Sequence, residues 1–367
     1  MAKTVNYDAG IDVVRFIAFF SVFIHHFVFR GGNSISVVPE AYWTNSYIDS
    51  IAFFGSEGVT IFFCLSGYLL SKLLIKEIRD TGHLSVRSFY IRRILRIWPL
   101  YFSFIVFCLV ATPLLGNQAV KGSELPSLFT FTYNWQQIYT GQSRGMPAIL
   151  WSISVEEQIY LVLPLLLLLF SRWSFKTLAF SLIFLGLISR VFLYANDLPL
   201  YRNTFSYMST IGIGMLYSIY ESRIKMHFSR NRSILNLALG IVVAIYVVCF
   251  KSIFSTGVLS IIAFDLTAMA AIFLLILFSG SENGSLGVVF KPFAYLGRRT
   301  YGMYIFHWPI LGLMVSRNIF FGPSTGITFI GLIFAFILVT TIASLSYRFL
   351  ERPFLNFRKK YQYIKIG

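Results

Sequence analysis

The sequence predicts an all-α, polytopic membrane helix bundle of about ten transmembrane helices, with both termini cytoplasmic. Composition is the first reason. Of 367 residues, 56% are hydrophobic and 13% charged, and the mean hydropathy is +0.71, about half the charge of an ordinary soluble chain. The second reason is grouping: apolar residues gather in stretches of ~20, the length that carries a helix across ~30 Å of hydrocarbon. The third is period. Polarity does not alternate with period two, as the segments of an outer-membrane barrel would require, so an inner or plasma membrane is expected. A soluble enzyme, a disordered chain and a fibrous fold are excluded together.

In chain order the spans are expected at roughly 10–29, 50–71, 98–115, 147–170, 177–195, 205–221, 234–250, 256–279, 294–316 and 325–347. The first carries Arg15, His25 and His26 with no small-residue cleavage site after it, and reads as a retained span rather than a signal peptide. Ten is even, so both ends share a side. On that side lie 23 of the 31 Lys and Arg; six fall in the opposite loops (Arg30, Lys121, Arg144, Arg202, Lys251, Arg317), and Arg15 and Arg190 lie within spans. The positive-inside rule then makes the termini cytoplasmic. It also accounts for the net charge of +16 without a nucleic-acid partner. Cys64, Cys108 and Cys249 sit inside apolar runs, as packing residues rather than disulfide or metal ligands. One membrane domain, 1–353, is expected, followed by a short basic cytoplasmic tail, 354–367. The longest outer segments are 30–49 and 116–146, too short for a core of their own.

Ionisable groups inside spans cost several kcal/mol unless paired or hydrated, which makes each a candidate for function. Arg15 and His26 are eleven residues apart, three turns plus ~20°, so they share a face of the first helix ~16 Å apart along its axis. His25 points roughly 80° away. A snorkelling arginine and an interfacial histidine are the plainer alternative. Trp151-Ser152-Ile153-Ser154-Val155-Glu156-Glu157-Gln158-Ile159-Tyr160 opens the fourth span and places Glu156 at about the depth of His26. A carboxylate on one imidazole nitrogen fixes the tautomer and raises the basicity of the other, which prepares a general base; an ion pair with Arg190 or another basic residue is the structural alternative.

Ser66 and Gly67 lie deep in the second span, where small residues serve either helix packing or close approach of a ligand to backbone. Glu57, nearer its outer end, is a weaker acidic candidate. In Arg92-Arg93-Ile94-Leu95-Arg96-Ile97-Trp98-Pro99, Arg92 and Arg96 share a face, a spacing suited both to successive phosphates and to a positive-inside anchor. His307 lies inside the ninth span just before Pro309. Asp265 and Arg190 are expected to neutralise each other structurally.

In order, these segments resemble the acyltransferase 3 family, bacterial integral-membrane O-acyltransferases of the O-antigen acetylase type, over nearly the whole chain. The resemblance rests on Arg15 and His26, the Gly58-to-Tyr68 run, Arg92-Arg93-x-x-Arg96-Ile-x-Pro99-x-Tyr101, Trp151-Ser-x-x-Val-Glu156, Tyr304-x-x-His307-x-Pro309 and Glu351-Arg352-Pro353. No one of these is specific; their ordered conjunction is. It implies transfer of an acyl group, usually acetyl, from cytoplasmic acyl-CoA to a hydroxyl of a cell-surface or lipid-linked glycan, without a metal. His26, held by Glu156, would be the base. Arg15 would anchor the cofactor or stabilise the thioester oxygen, Arg92, Arg93 and Arg96 would bind the CoA phosphates, and Ser66 and Gly67 would line the pantetheine path. His307, Trp151 and Tyr160 would line the site. The matching form lacks the fused extracellular hydrolase-like domain of some relatives, so the core is expected to work alone, as a homo-oligomer, or with a separate periplasmic partner. A route through an acylated His26 stays open, as does a proton-coupled transporter or glycan exporter built on the same His, Glu and Arg set.

Overall fold

The computed structural model describes residues 8–29, 46–115, 120–141, 145–169, 175–230, 232–255, 257–278, 288–317, 319 and 325–361. Arg30, Arg144 and most of the expected outer segment 30–49 lie outside them, as does the end of the tail after Tyr361. Every regular element among the described residues is helical. The helices are α1 (Ala9–Phe29), α2 (Ser46–Phe54), α3 (Gly58–Thr81), α4 (Val86–Leu115), α5 (Leu125–Phe129), α6 (Tyr133–Thr140), α7 (Trp151–Leu169), α8 (Phe175–Ala195), α9 (Met208–Arg230), α10 (Arg232–Ser255), α11 (Ser260–Phe278), α12 (Lys291–Gly297), α13 (Thr300–Ser316), α14 (Thr325–Ser346) and α15 (Arg352–Arg358).

A helical segment stands at each of the ten expected positions. Seven are long and apolar enough to cross a membrane. The other three are α9, whose C-terminal half carries Glu221, Arg223 and Lys225; α10, apolar over Leu239–Phe250; and α13, which has 17 residues. The outside of the bundle is an apolar belt: Val110 is 74% exposed, Phe184 63%, Phe192 60% and Ile337 58%. So much exposed hydrocarbon is tolerable only against lipid.

Local chemistry sets the helix ends. The Asp8 carboxylate accepts from the Gly10 amide at 3.0 Å and caps α1. Gly82, at φ +77°, ends α3 in the left-handed conformation that a Cβ would disfavour, and its amide donates to the Ile78 carbonyl at 2.8 Å. Pro147 opens the tight turn Met146–Leu150 that leads into α7, where its missing amide is harmless.

Helix α3 is the axis of the bundle. Two thirds of its span is buried (67%), against 22% for the span of α14 and α15 at the lipid edge. Its closest partner is α9, and glycines set that distance. A Cβ on Gly67 would meet the Ile211 carbonyl oxygen and stand 2.9 Å from the Ile211 Cα. A Cβ on Gly214 of α9 would in turn meet the Cys64 carbonyl oxygen. Backbone touching backbone is how membrane helices gain dispersion energy where the hydrophobic effect is absent. Gly67 is therefore a packing residue turned toward α9 rather than part of a ligand path, a correction to the sequence reading.

Arg190 and Asp265 form the expected structural pair. Arg190 Nη2 donates to Asp265 Oδ2 at 2.6 Å, Nη1 donates to the Ser206 carbonyl at 2.7 Å and to Ser209 Oγ at 2.6 Å, and the Ser209 hydroxyl returns to Asp265 Oδ1 at 2.5 Å. The pair ties α8 to α9 and α11 and leaves the guanidinium wholly buried.

Two outcomes follow for stability in detergent. Gly67→Ala should lower it by about 2 kcal/mol through overpacking, whereas Gly240→Ala, with nothing within 4 Å of the new methyl, should leave it unchanged or slightly raised. Equal melting temperatures for the two variants would contradict the close α3–α9 approach. Asp265→Leu should cost about 3 kcal/mol by stranding Arg190, and the added Arg190→Leu should recover much of it.

Candidate active site

Two polar centres lie inside the bundle and meet at Tyr304. Toward the C-terminal end of α1, His26 meets His307 of α13: His26 Nδ1 and His307 Nε2 are 2.8 Å apart, and the rings stack with centroids at 5.1 Å. His307 Nδ1 lies 2.6 Å from the Tyr304 carbonyl oxygen. A carbonyl only accepts, so His307 carries its proton on Nδ1, and in a neutral ring its Nε2 is then the acceptor. His26 must donate to it from Nδ1, which leaves the lone pair of His26 on Nε2. The tautomers follow from this bonding order. Trp308 stands edge-on to His26 with centroids at 4.8 Å, and Phe19 stands edge-on to His307. His307 is fully buried and His26 only partly so. His25 turns away, its Nδ1 3.0 Å from the Ala52 carbonyl oxygen, as the helical spacing predicts.

The second centre is a cavity of ≈ 590 Å³. Its lining on α3 runs from Val59 to Arg79, ~30 Å of helix. Arg15, Arg93, Arg96 and Arg358 all reach it. Arg96 feels Arg15 and Arg93 as like charges, and Arg358 feels Arg96, Arg93, Arg92 and Arg15. Arg15 Nη1 is fixed by Asp12 Oδ1 at 2.8 Å, and the Arg93 guanidinium lies 4.6 Å from the Tyr160 ring centroid. Arg358 Nε is buried with no hydrogen-bond acceptor. Guanidinium groups gathered this way repel one another unless an anion sits among them, and their planar forks suit phosphate oxygens.

Further in, the wall consists of hydroxyl groups around one carboxylate. Glu156 Oε1 accepts from Ser66 Oγ at 2.5 Å and from the Tyr160 hydroxyl, and the Tyr160 hydroxyl lies 3.2 Å from Ser66 Oγ. Ser152 and Tyr304 share a hydroxyl hydrogen bond of 2.8 Å and also line the cavity. Tyr304 joins the two centres: its side chain faces the cavity, its ring lies 5.4 Å from that of His307, and its carbonyl oxygen receives the His307 proton.

Several sequence expectations need correcting on this geometry. Glu156 does not hold His26; Nδ1 of His26 is engaged by His307, and Ser66 and Tyr160 take the carboxylate. Arg15 lies at the cationic end with Asp12, three turns from His26 along α1, and so stands apart from the histidine pair. Arg92 lines the cavity but is tied elsewhere: Nη2 pairs with Glu77 Oε2 at 2.7 Å and Nη1 donates to the Tyr361 carbonyl at 3.0 Å. Trp151 is buried outside the cavity, packed on Tyr201 at 5.0 Å and Tyr207 at 6.1 Å. Glu57 is buried, bonded by Thr60 Oγ1 at 2.6 Å, and Glu157 accepts from Trp98 Nε1 at 3.0 Å. Arg358 and Asp12 join the site without having been singled out, and Tyr304 and Ser152, quoted only as motif positions, join it as well. Asp12 had a visible signal, a carboxylate three residues before Arg15 on the same helix face; Arg358, counted with a basic tail, had none.

The profile of a family described as an acyltransferase domain matches residues 8–348. The chain belongs to that acyltransferase family. Relatives of the family similar to it include the peptidoglycan O-acetyltransferase OatA of Listeria monocytogenes, 27% identical over 97% of this chain and 58% of the relative. A Staphylococcus aureus protein provisionally named an O-acetyltransferase is 26% identical over 100% of this chain and 61% of its own length. Bacillus subtilis YrhL, provisionally named a peptidoglycan O-acetyltransferase, is 27% identical over 95% and 55%. The acyltransferase chain thus spans a little more than half the length of these relatives. No solved structure matches it.

Proposed function

We propose that the protein is a membrane O-acyltransferase that moves an acyl group, acetyl in the first instance, from cytoplasmic acyl-CoA to a hydroxyl of a cell-surface or lipid-linked glycan. The plasma membrane is its place and the cationic end of the cavity faces the cytoplasm. The observation that carries this reading is one cavity that joins a group of guanidinium side chains to Tyr304, whose carbonyl oxygen anchors the His26–His307 pair. Membership of the acyltransferase family supports it, and the relatives named for peptidoglycan support wall polysaccharide as an acceptor.

In this reading Arg93, Arg96, Arg358 and Arg15 hold the CoA phosphates, and the pantetheine arm runs along α3 past Ser66 toward Tyr304. The acceptor hydroxyl comes from the other side, where His26 is partly exposed. His26 Nε2 takes the hydroxyl proton as the oxygen attacks the thioester carbon. The new C–O bond forms, the C–S bond breaks, and the imidazolium returns the proton to the departing thiolate. His307 keeps the His26 lone pair on Nε2 and shares the positive charge while it lasts. Glu156, Ser66 and Tyr160 keep a polar wall behind the thioester arm, and Tyr160 positions Arg93 by stacking.

Proteoliposomes given labelled acetyl-CoA and a glycan acceptor test the chemistry. His26→Ala should lower kcat by ~10² to 10⁴ with the protein still inserted, while His25→Ala stays near wild type; equal loss in both would refute the assignment. Arg96→Gln combined with Arg358→Gln should raise the KM for acetyl-CoA by about tenfold or more and change kcat less, since a grip far from the reacting carbon contributes uniform binding. A pure kcat defect would contradict that role.

A further inference from the structure

A second recess opens between α12 and the corner where α14 passes into α15. Its polar lining is Arg299, Arg348 and Arg352 with Thr340, Thr341 and Ser344, and no carboxylate lines it. Among the described residues no carboxylate comes within 4 Å of these three guanidinium groups. Glu351, beside them in sequence, is buried and accepts from Ser346 Oγ at 3.5 Å, acting on Arg299 only through its field.

Arg299 is held in place. Its guanidinium lies 3.5 Å from the Tyr295 ring centroid and 5.0 Å from that of Tyr347, and Nη1 donates to the Tyr295 carbonyl at 2.7 Å. Its Nε and the Thr340 Oγ1 are both buried with no hydrogen-bond partner, and leaving such groups unsatisfied is costly. The turn Tyr347–Glu351 is a π-helix, a rare irregularity that recurs at functional sites, and with it Arg348 and Arg352 face the same recess. Directly beside the recess the surface turns apolar: Leu345 is 52% exposed and Phe349 69%.

We infer that this recess is a binding site for the phosphate of an anionic membrane lipid, with the phosphate among Arg299, Arg348 and Arg352 and the acyl chains along Leu345 and Phe349. Planar guanidinium forks recognise phosphate oxygens. Basic pockets between helices at the cytoplasmic side are where anionic headgroups settle, and the adjoining apolar strip is what sets a lipid apart from a soluble phosphate. The site is separate from the acyl-donor cavity and does not depend on the acyltransfer reading.

Native mass spectrometry of the full chain in mild detergent tests it, titrated separately with phosphatidylglycerol, phosphatidylcholine and inorganic phosphate. The wild type should retain phosphatidylglycerol and not phosphatidylcholine. Arg348→Gln with Arg352→Gln should weaken retention by about tenfold or more, while Arg223→Gln, a surface charge on α9, should not. Should the double variant aggregate, Arg348→Gln alone, on an exposed side chain, should still weaken it about threefold. Retention of phosphatidylglycerol by the variants as tight as by wild type, or equal retention of phosphatidylcholine, would overturn the proposal. So would inorganic phosphate displacing the lipid completely at millimolar concentration, which would assign the recess to a soluble anion.

Discussion

Arg15, Arg93, Arg96 and Arg358 come from α1, α4 and α15 and share one cavity whose lining is net positive, eight Lys and Arg against the five carboxylates Asp8, Asp12, Glu77, Glu156 and Glu221. This like-charge cluster is the constraint on which the rest of the structure depends. Two unit charges a few ångströms apart near a protein surface repel by a few kcal/mol, and burial inside a bundle strengthens the effect. The fold accepts the cost by fixing the groups: Asp12 clamps Arg15, the Tyr160 ring carries Arg93, and the Glu77–Arg92–Tyr361 bonds hold the segment just after α15, which keeps Arg358 in the cavity. What remains is a preorganised positive end whose natural complement is a polyphosphate.

The second requirement is a connection from that charge to the His26–His307 pair. Helix α3 provides it by giving adjacent residues opposite duties: Ser66 faces the cavity and bonds Glu156, while Gly67 lets α9 lie against the other side. The close approach at Gly67 fixes where Ser66 stands. At the far end, the Tyr304 carbonyl sets the His307 proton and His307 sets that of His26, so one backbone acceptor decides the tautomer of two rings on different helices. The arrangement does for His26 what a carboxylate does elsewhere without adding a negative charge.

The membrane bundle was legible in the sequence because hydrocarbon thickness imposes a length, and each expected apolar run is a helix. Arg15, His26, Ser66 and Glu156 stood out because polar groups are rare in such runs, and Arg96 by its four-residue spacing from Arg92. What could not be read was which of them meet. His26 and His307 are 281 residues apart, and Arg92 and the Tyr361 carbonyl 269; helix periodicity predicts a face but not the neighbour it will touch. Glu156 was assigned to His26 from matching depth alone, and depth does not fix rotation about the bundle. Trp151 was assigned to the lining through the motif it opens, and a motif position can serve the core as well as the site. Arg358 was read as part of a solvated tail, since a short basic stretch after a last span looks the same whether it floats or folds back.

Thermal unfolding of the purified protein in detergent, with and without acetyl-CoA, tests the cationic cavity most directly. With the ligand at about a hundred times its dissociation constant, the account predicts stabilisation of about 2.7 kcal/mol, seen as a raised melting temperature that Arg96→Gln with Arg358→Gln abolishes. A wild-type melting temperature unmoved by saturating acetyl-CoA would contradict it.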